Sequence, residues 1–289
     1  MIIKQMRLVS IVLLISMLFT LSANAATSPE NNYKEEQVYE DQSGINMATL
    51  FPDAKDELKA DWEKMYEGYK IVKVSETKMF YRKDENNKLV PITVKEFEQQ
   101  SKTSGVGTNG VGSNTNYGIT VYHTTASCSG ACSYPTEWLL GGSFQWNVTP
   151  SLDTGNSVDA FVIGWAGGLA IKQGSTSGVV HYDEGDTNPA VVTVNPNAGV
   201  GWEFSEAIDK TFPANNWYAS SGSFSVTIIK STSNSGNIAN SIGQYNQSYD
   251  TKTLTSLGLS LSSSGGGFSI GWATTTKVST IPAYTTFTY

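Results

Sequence analysis

Twelve consecutive uncharged residues, Ala160 to Ile171 (AFVIGWAGGLAI), constrain the fold of this chain more than any other stretch beyond its N-terminus. A membrane-spanning helix needs about 18 or more apolar residues, so the run is too short to be one. Phe161, Val162, Ile163 and Trp165 favour strand, and the run reads as a buried strand. Gly167-Gly168 marks either a bulge or a bend into a second strand, Leu169 to Lys172. The Gly-Trp pair recurs at Gly201-Trp202 and Gly271-Trp272, so three elements can offer the same small-then-large pattern to one core.

The neighbouring sequence is of the same kind. From about Asn116 to the C-terminus, short β-type segments alternate with turn signals, and no long helical pattern intervenes. Val226, Ile228 and Lys230 alternate with Thr227 and Ile229, and Leu257, Leu259 and Leu261 alternate with Gly258 and Ser260, as in an antiparallel sheet with one buried face. The expected fold is mainly β, with an antiparallel β-sandwich over 118–289. A single closed barrel is the alternative.

Upstream, residues 1–25 have the form of a secretory signal peptide. Lys4 and Arg7 precede an apolar region, Leu8 to Leu21, and Ala23-Asn24-Ala25 offers a cleavage site. The expectation is a secreted, extracellular protein with no permanent membrane span after cleavage. Residues 26–43 are polar and acidic and read as a disordered lead-in. Residues 44–102 read as a small α+β module. Pro52, Asp53, Asp56 and Glu57 open a helix, and Leu58, Trp62, Met65, Tyr66 and Tyr69 line one side of it. Strands over Tyr69–Val74 and Lys78–Arg82 follow, then a turn at Asp84–Asn87, a strand to Val94 and a short helix opened by a Thr93/Glu96 capping box. The Gly/Ser/Thr/Asn stretch 103–117 reads as a flexible linker.

Charge narrows the partners. The whole chain carries a net charge of −7, and cleavage removes Lys4 and Arg7 besides. Such a surface repels phosphate backbones, and the Lys/Arg clusters of a nucleic-acid site are missing, so no nucleic-acid partner is expected.

Few residues offer chemistry. Cys128 and Cys132 are the only cysteines. In an exported chain they read as a disulfide across a tight loop, worth on the order of 2 kcal/mol or less. A metal site adding His123 to the two thiolates is the sharper alternative. His123 and His181 are the only histidines, and no nucleophile elbow, H-E-x-x-H, P-loop or dinucleotide fingerprint accompanies them. Glu203 and Glu206 beside Trp202 form a carboxylate pair of the kind a glycan hydrolase uses, although strand alternation would put them on opposite faces. Asp183, Glu184 and Asp186 crowd one loop and offer oxygen ligands to calcium; no other cofactor is implied. Trp217 and Tyr218, set among turn-forming residues, are the best pair for stacking on the rings of a cell-surface polysaccharide. Finally, Thr253 to Lys277 holds two apolar-alternating stretches around Ser262 to Gly267. That pattern fits an ordinary sandwich hairpin, and it also fits the membrane hairpin of a pore-forming toxin.

The line Phe80 to Gln100, FYRKDENNKLVPITVKEFEQQ, preceding a Ser/Thr/Gly-rich β region, resembles exported proteins of Gram-positive bacteria whose activity is uncharacterised. The resemblance implies secretion and a β-rich C-terminal domain, and it brings no site residues. The leading functional expectation is non-enzymatic binding at a cell surface, with hairpin insertion and glycan hydrolysis as alternatives.

Overall fold

A computed structural model describes residues 34–40, 46–85, 89–103, 116–130, 132, 137–150, 158–211, 214–230, 237–248, 254–258, 269–272 and 278–289. In chain order the elements are β1 (Lys34–Glu40), α1 (Met47–Leu50), α2 (Asp56–Met65), β2 (Tyr69–Lys83), β3 (Leu89–Ile92), α3 (Val94–Thr103), β4 (Asn116–Cys128) and β5 (Glu137–Trp146). There follow β6 (Val158–Trp165), β7 (Leu169–Ile171), β8 (Ser177–Tyr182), β9 (Gly185–Thr187), β10 (Ala190–Asn195), β11 (Gly199–Ser205) and β12 (Ala207–Thr211). The last are β13 (Ala214–Lys230), β14 (Ile238–Ser248), β15 (Leu254–Gly258), β16 (Ser269–Trp272) and β17 (Val278–Thr288). The signal peptide, residues 104–115 of the expected linker and the turn between β15 and β16 lie outside the described residues.

The strands make two large antiparallel sheets. One runs β1-β2-β4-β5-β13-β8-β9, with β3 added to β2, and with β7 and β12 added to β13; the other runs β10-β11-β6-β14-β17. The apolar run supplies β6, the middle strand of the smaller sheet, and Ala160 to Ile163 are wholly buried. Gly167 then takes a φ of +118°, a backbone conformation open to glycine at little cost. The chain crosses there to the larger sheet, where β7 pairs with β13. The double glycine is therefore a bend between sheets.

Between the sheets lies an aromatic core centred on Phe224. Its ring stacks on Phe161 at 4.5 Å and leans on Trp202 at 5.3 Å. Two of the three Gly-Trp pairs point large residues here, since Trp165 and Trp202 are both buried in this core. A second cluster sits on the outer face of the larger sheet, where α1 and α2 bring Met47, Phe51, Leu58 and Trp62 onto Ile71, Val74, Tyr122 and Leu139. Trp62 also donates from Nε1 to Ser143 Oγ at 2.9 Å. The helical stripe is thus packing surface, as helix amphipathicity predicts.

Residues of the N-terminal module are continuous with the rest. β2 pairs with β4 from Tyr69↔Cys128 to Arg82↔Asn116, and Thr77 Oγ1 donates to Pro282 O at 2.8 Å in β17. All described residues belong to one compact unit, Tyr33–Tyr289. Residues 34–40, expected in the disordered lead-in, instead form β1, paired with β2 from Lys34↔Met79 to Glu40↔Lys73. The polar sequence KEEQVYE hides this strand because an edge strand needs little apolar surface. The capping box is present: Thr93 N donates to Glu96 Oε2 at 2.8 Å and Glu96 N donates to Thr93 Oγ1 at 3.1 Å.

Candidate functional site

The hairpin expected over 253–277 supplies β15 and β16, an antiparallel pair beyond β14 and β17. β14 and β17 pair from Ile238↔Thr288 to Ser248↔Val278. Further out, Leu254 of β15 pairs with Trp272 of β16. Leu254 lies six residues beyond Ser248, and Trp272 lies six before Val278. This first outer pair therefore keeps the register of the inner ladder. After a one-residue shift between Leu254 and Ser256, pairing resumes as Ser256↔Gly271, Leu257↔Ile270 and Gly258↔Ser269. Apolar positions oppose apolar positions, small ones oppose small ones, and the two series alternate along the strand. No charged residue occurs between Lys252 and Lys277. β15 and β16 form their own two-stranded sheet, and β15 runs close to β10, the edge strand that leaves Val191, Val192 and Val194 exposed.

The root of this hairpin is polar and buried. β14 sits between β6 and β17, and Gln244, Asn246, Gln247 and Ser248 are all buried. Fully buried Asp159 on β6 accepts from Ser248 N at 3.1 Å through Oδ1 and from the Tyr245 hydroxyl through Oδ2. Glu206, 4% exposed, accepts from Gln247 Nε2 at 3.5 Å. Burial, and then the charge of Glu206, hold the Asp159 carboxyl well above the usual carboxylate range. Two acids thus share the dry end of β14, where the chain leaves the sandwich for the hairpin. Sequence reading missed β14 altogether, because IANSIGQYNQS lacks an apolar alternation; the signal left in it is Tyr245.

His123 is a structural tie. It is wholly buried, with Nδ1 2.8 Å from Gly141 O and Nε2 2.7 Å from Ser241 Oγ, which in turn meets Thr285 Oγ1 at 2.7 Å. Burial brings its pKa down to about 3, so the ring is neutral. It joins the two sheets and is committed away from the cysteines. Cys128 and Cys132 sit at disulfide distance, with Cα atoms 6.3 Å apart.

The acidic loop is a turn between β8 and β9. His181 there bridges two carboxylates, with Nδ1 2.8 Å from Asp186 Oδ1 and Nε2 2.8 Å from Asp61 Oδ2 on α2. Ser223 Oγ donates to the same Asp61 oxygen at 2.6 Å. Burial alone would lower the His181 pKa, but the bonds to Asp61 and Asp186 raise it. Burial would raise that of Asp61, but the bonds from His181 and Ser223 lower it. Asp183 Oδ2 accepts from Tyr218 N at 3.2 Å. Two of the three calcium candidates, Asp183 and Asp186, are therefore engaged within the protein, and Glu184 is exposed beside them. Among the described residues, no three His, Cys, Asp or Glu side chains gather as a metal site.

Trp217 and Tyr218 lie on β13 next to this turn, each partly exposed, and Trp217 packs against the main core. Glu203 lies on β11 between the core residues Trp202 and Phe204, half-buried, and burial raises its pKa. Glu206 is inside, with Asp159, so the two glutamates do not present themselves to one open space. Glu137 is also inward, held by Lys172 Nζ at 3.0 Å and by the Tyr69 hydroxyl at 2.6 Å.

The chain matches no protein-family model and no curated protein. Among solved structures it is similar to the collagen-binding domain of a Staphylococcus aureus adhesin, over 38% of this chain and 76% of that one, at 9% identity and a TM-score of 0.24. The T6 backbone pilin of Streptococcus pyogenes serotype M6 is similar over 75% of this chain and 45% of its own, at 9% identity and a TM-score of 0.34. A structure described as a pore forming protein is similar over 89% of this chain and 94% of its own, at 7% identity and a TM-score of 0.22. With TM-scores this far below 0.5, these likenesses assign neither a ligand nor an activity.

Proposed function

We propose that this chain is a secreted protein that acts at a cell surface by placing the hairpin 253–277 in a lipid bilayer. The observation that supports this reading is the β15–β16 ladder, which matches the β14–β17 register at Leu254↔Trp272, shifts by one residue, and then alternates apolar and small pairs. From Thr253 or Thr276 to the turn, each arm offers about 11 uncharged residues. At about 3.4 Å per residue and a tilt of about 40°, an arm rises about 28 Å, close to the hydrocarbon thickness of about 30 Å. The unpaired backbone of a lone hairpin is intolerable in lipid, so its strands must close into a barrel. One copy brings two strands and the smallest barrels have about eight, which calls for at least about four copies. The test is dye release from liposomes together with SDS-resistant oligomers; the absence of both overturns the reading.

A second reading is surface binding without insertion. It is supported by Trp217 and Tyr218, each partly exposed on β13 beside the acidic turn; as consecutive strand residues they face opposite sides of the sheet, so a sugar ring would stack on one of them. A polysaccharide is then the partner, and calcium on Asp183, Glu184 and Asp186 would stiffen the turn. Retention on peptidoglycan, cellulose or chitin that is lost in Trp217→Ala, with no dye release, favours this reading over the first.

A further inference from the structure

Far from the hairpin in sequence, the turn between α1 and α2 stands over β2, β4 and β5 and borders an open cleft of about 490 Å³. That is within the range of small-molecule sites, about 300–1,000 Å³. Its floor is built by cross-strand neighbours. Glu76 and Tyr122 are directly paired between β2 and β4 and are 5% and 3% exposed. The Glu76 carboxylate meets Lys78 Nζ at 3.2 Å. The amide of Gln145 is fixed at both ends: Oε1 accepts from Lys55 N at 3.0 Å, and Nε2 donates to the Tyr122 hydroxyl at 2.9 Å. One wall is aromatic. Phe51 packs on Tyr122 with ring centroids 4.7 Å apart, and Tyr39 meets Phe51 edge-on at 5.5 Å.

These features select a chemistry. Asp53 and Glu76 are balanced by Lys55 and Lys78 around the same space, so the cleft favours neither a phosphate nor a cation. It presents carboxylates and ammonium groups on one side and aromatic carbon on the other. A ligand that uses both has hydroxyl groups on its edges and C–H groups on its face. The geometry points to a neutral saccharide of about one or two rings as the occupant, with Glu76 accepting from its hydroxyls and the Phe51/Tyr39 wall against its C–H face. This site is separate from Trp217 and Tyr218, and it stands whether or not the hairpin enters a membrane.

Saturation-transfer NMR on the full chain with glucose, galactose, N-acetylglucosamine and lactose tests the assignment. Transfer to at least one of these sugars is expected. The affinity should fall about tenfold or more in Glu76→Gln, since a hydrogen bond to a charged acceptor is exchanged for one to an amide. Tyr39→Ala, on the edge strand β1, removes one ring of the aromatic wall and serves as the readout should Glu76→Gln lower the melting temperature. No transfer from any of the four sugars at about 10 mM, a concentration that reveals even weak binding, overturns the proposal. So does binding that neither variant weakens.

Discussion

Replacing Leu257 by Lys should abolish membrane activity. Leu257 is paired with Ile270 and is the fifth residue of an uncharged arm that begins at Thr253. It would therefore lie about 13 Å from the membrane edge in an arm rising about 28 Å, near the bilayer midplane. A lysine on the lipid side at that depth costs about 2–4 kcal/mol per copy. Each copy is thereby disfavoured by about 30- to 1,000-fold, and the penalty repeats in every copy of a ring. The neighbouring Ser256 is paired with Gly271 and belongs to the alternate series, which in a barrel would face the water-filled interior. Ser256→Lys should therefore keep dye release within about threefold of the parent. Calcein release from liposomes at matched protein concentration, with thermal melting as a control for folding, separates the two. Leu257→Lys releasing dye as well as the parent, or Ser256→Lys failing equally, would refute an alternating membrane hairpin.

Other consequences follow from the buried charges. The His181 pKa is raised and the Asp61 pKa lowered, so the bridge between α2 and β8 is complete from about pH 4 to about pH 6.5. It weakens as pH rises through the elevated His181 value or falls through the depressed Asp61 value. Melting temperature against pH should peak in that window, and His181→Asn should flatten the alkaline side. Lys172→Ala strips the counter-charge from Glu137, whose side chain is 3% exposed, and should cost on the order of 3 kcal/mol in urea unfolding. Asp159 has a raised pKa, so its ionisation penalises the folded state as pH rises. Asp159→Asn should then raise the melting temperature at pH 7 and change it little at pH 4.

Much of the sandwich can be read from residues whose burial is dictated by their own chemistry. The run through Phe161 and Trp165 is a buried strand, the double glycine is a bend, and the Thr93/Glu96 box caps a helix. In each case local chemistry and tertiary structure agree. Elements that bury polar side chains are hidden from such a reading. β14 is buried along most of its length, yet its Gln, Asn and Ser residues look like a loop until the partners across the sheets are known. The same holds for the bridge at His181, which is completed by Asp61, 120 positions away. The saccharide cleft is equally non-local, since Glu76, Tyr122 and Gln145 meet only through strand pairing. By contrast, the hairpin was legible as an alternating pattern; its register with β14 and β17 was not.

The most direct measurement is an environment-sensitive fluorophore placed on single added cysteines at 254–258 and 269–272, read with and without liposomes. If the hairpin enters the bilayer in its present register, Leu257 and Ile270 should shift to a lipid-like signal while Ser256, Gly258, Ser269 and Gly271 stay water-like. The same water-like signal at every position, before and after lipid is added, would contradict insertion.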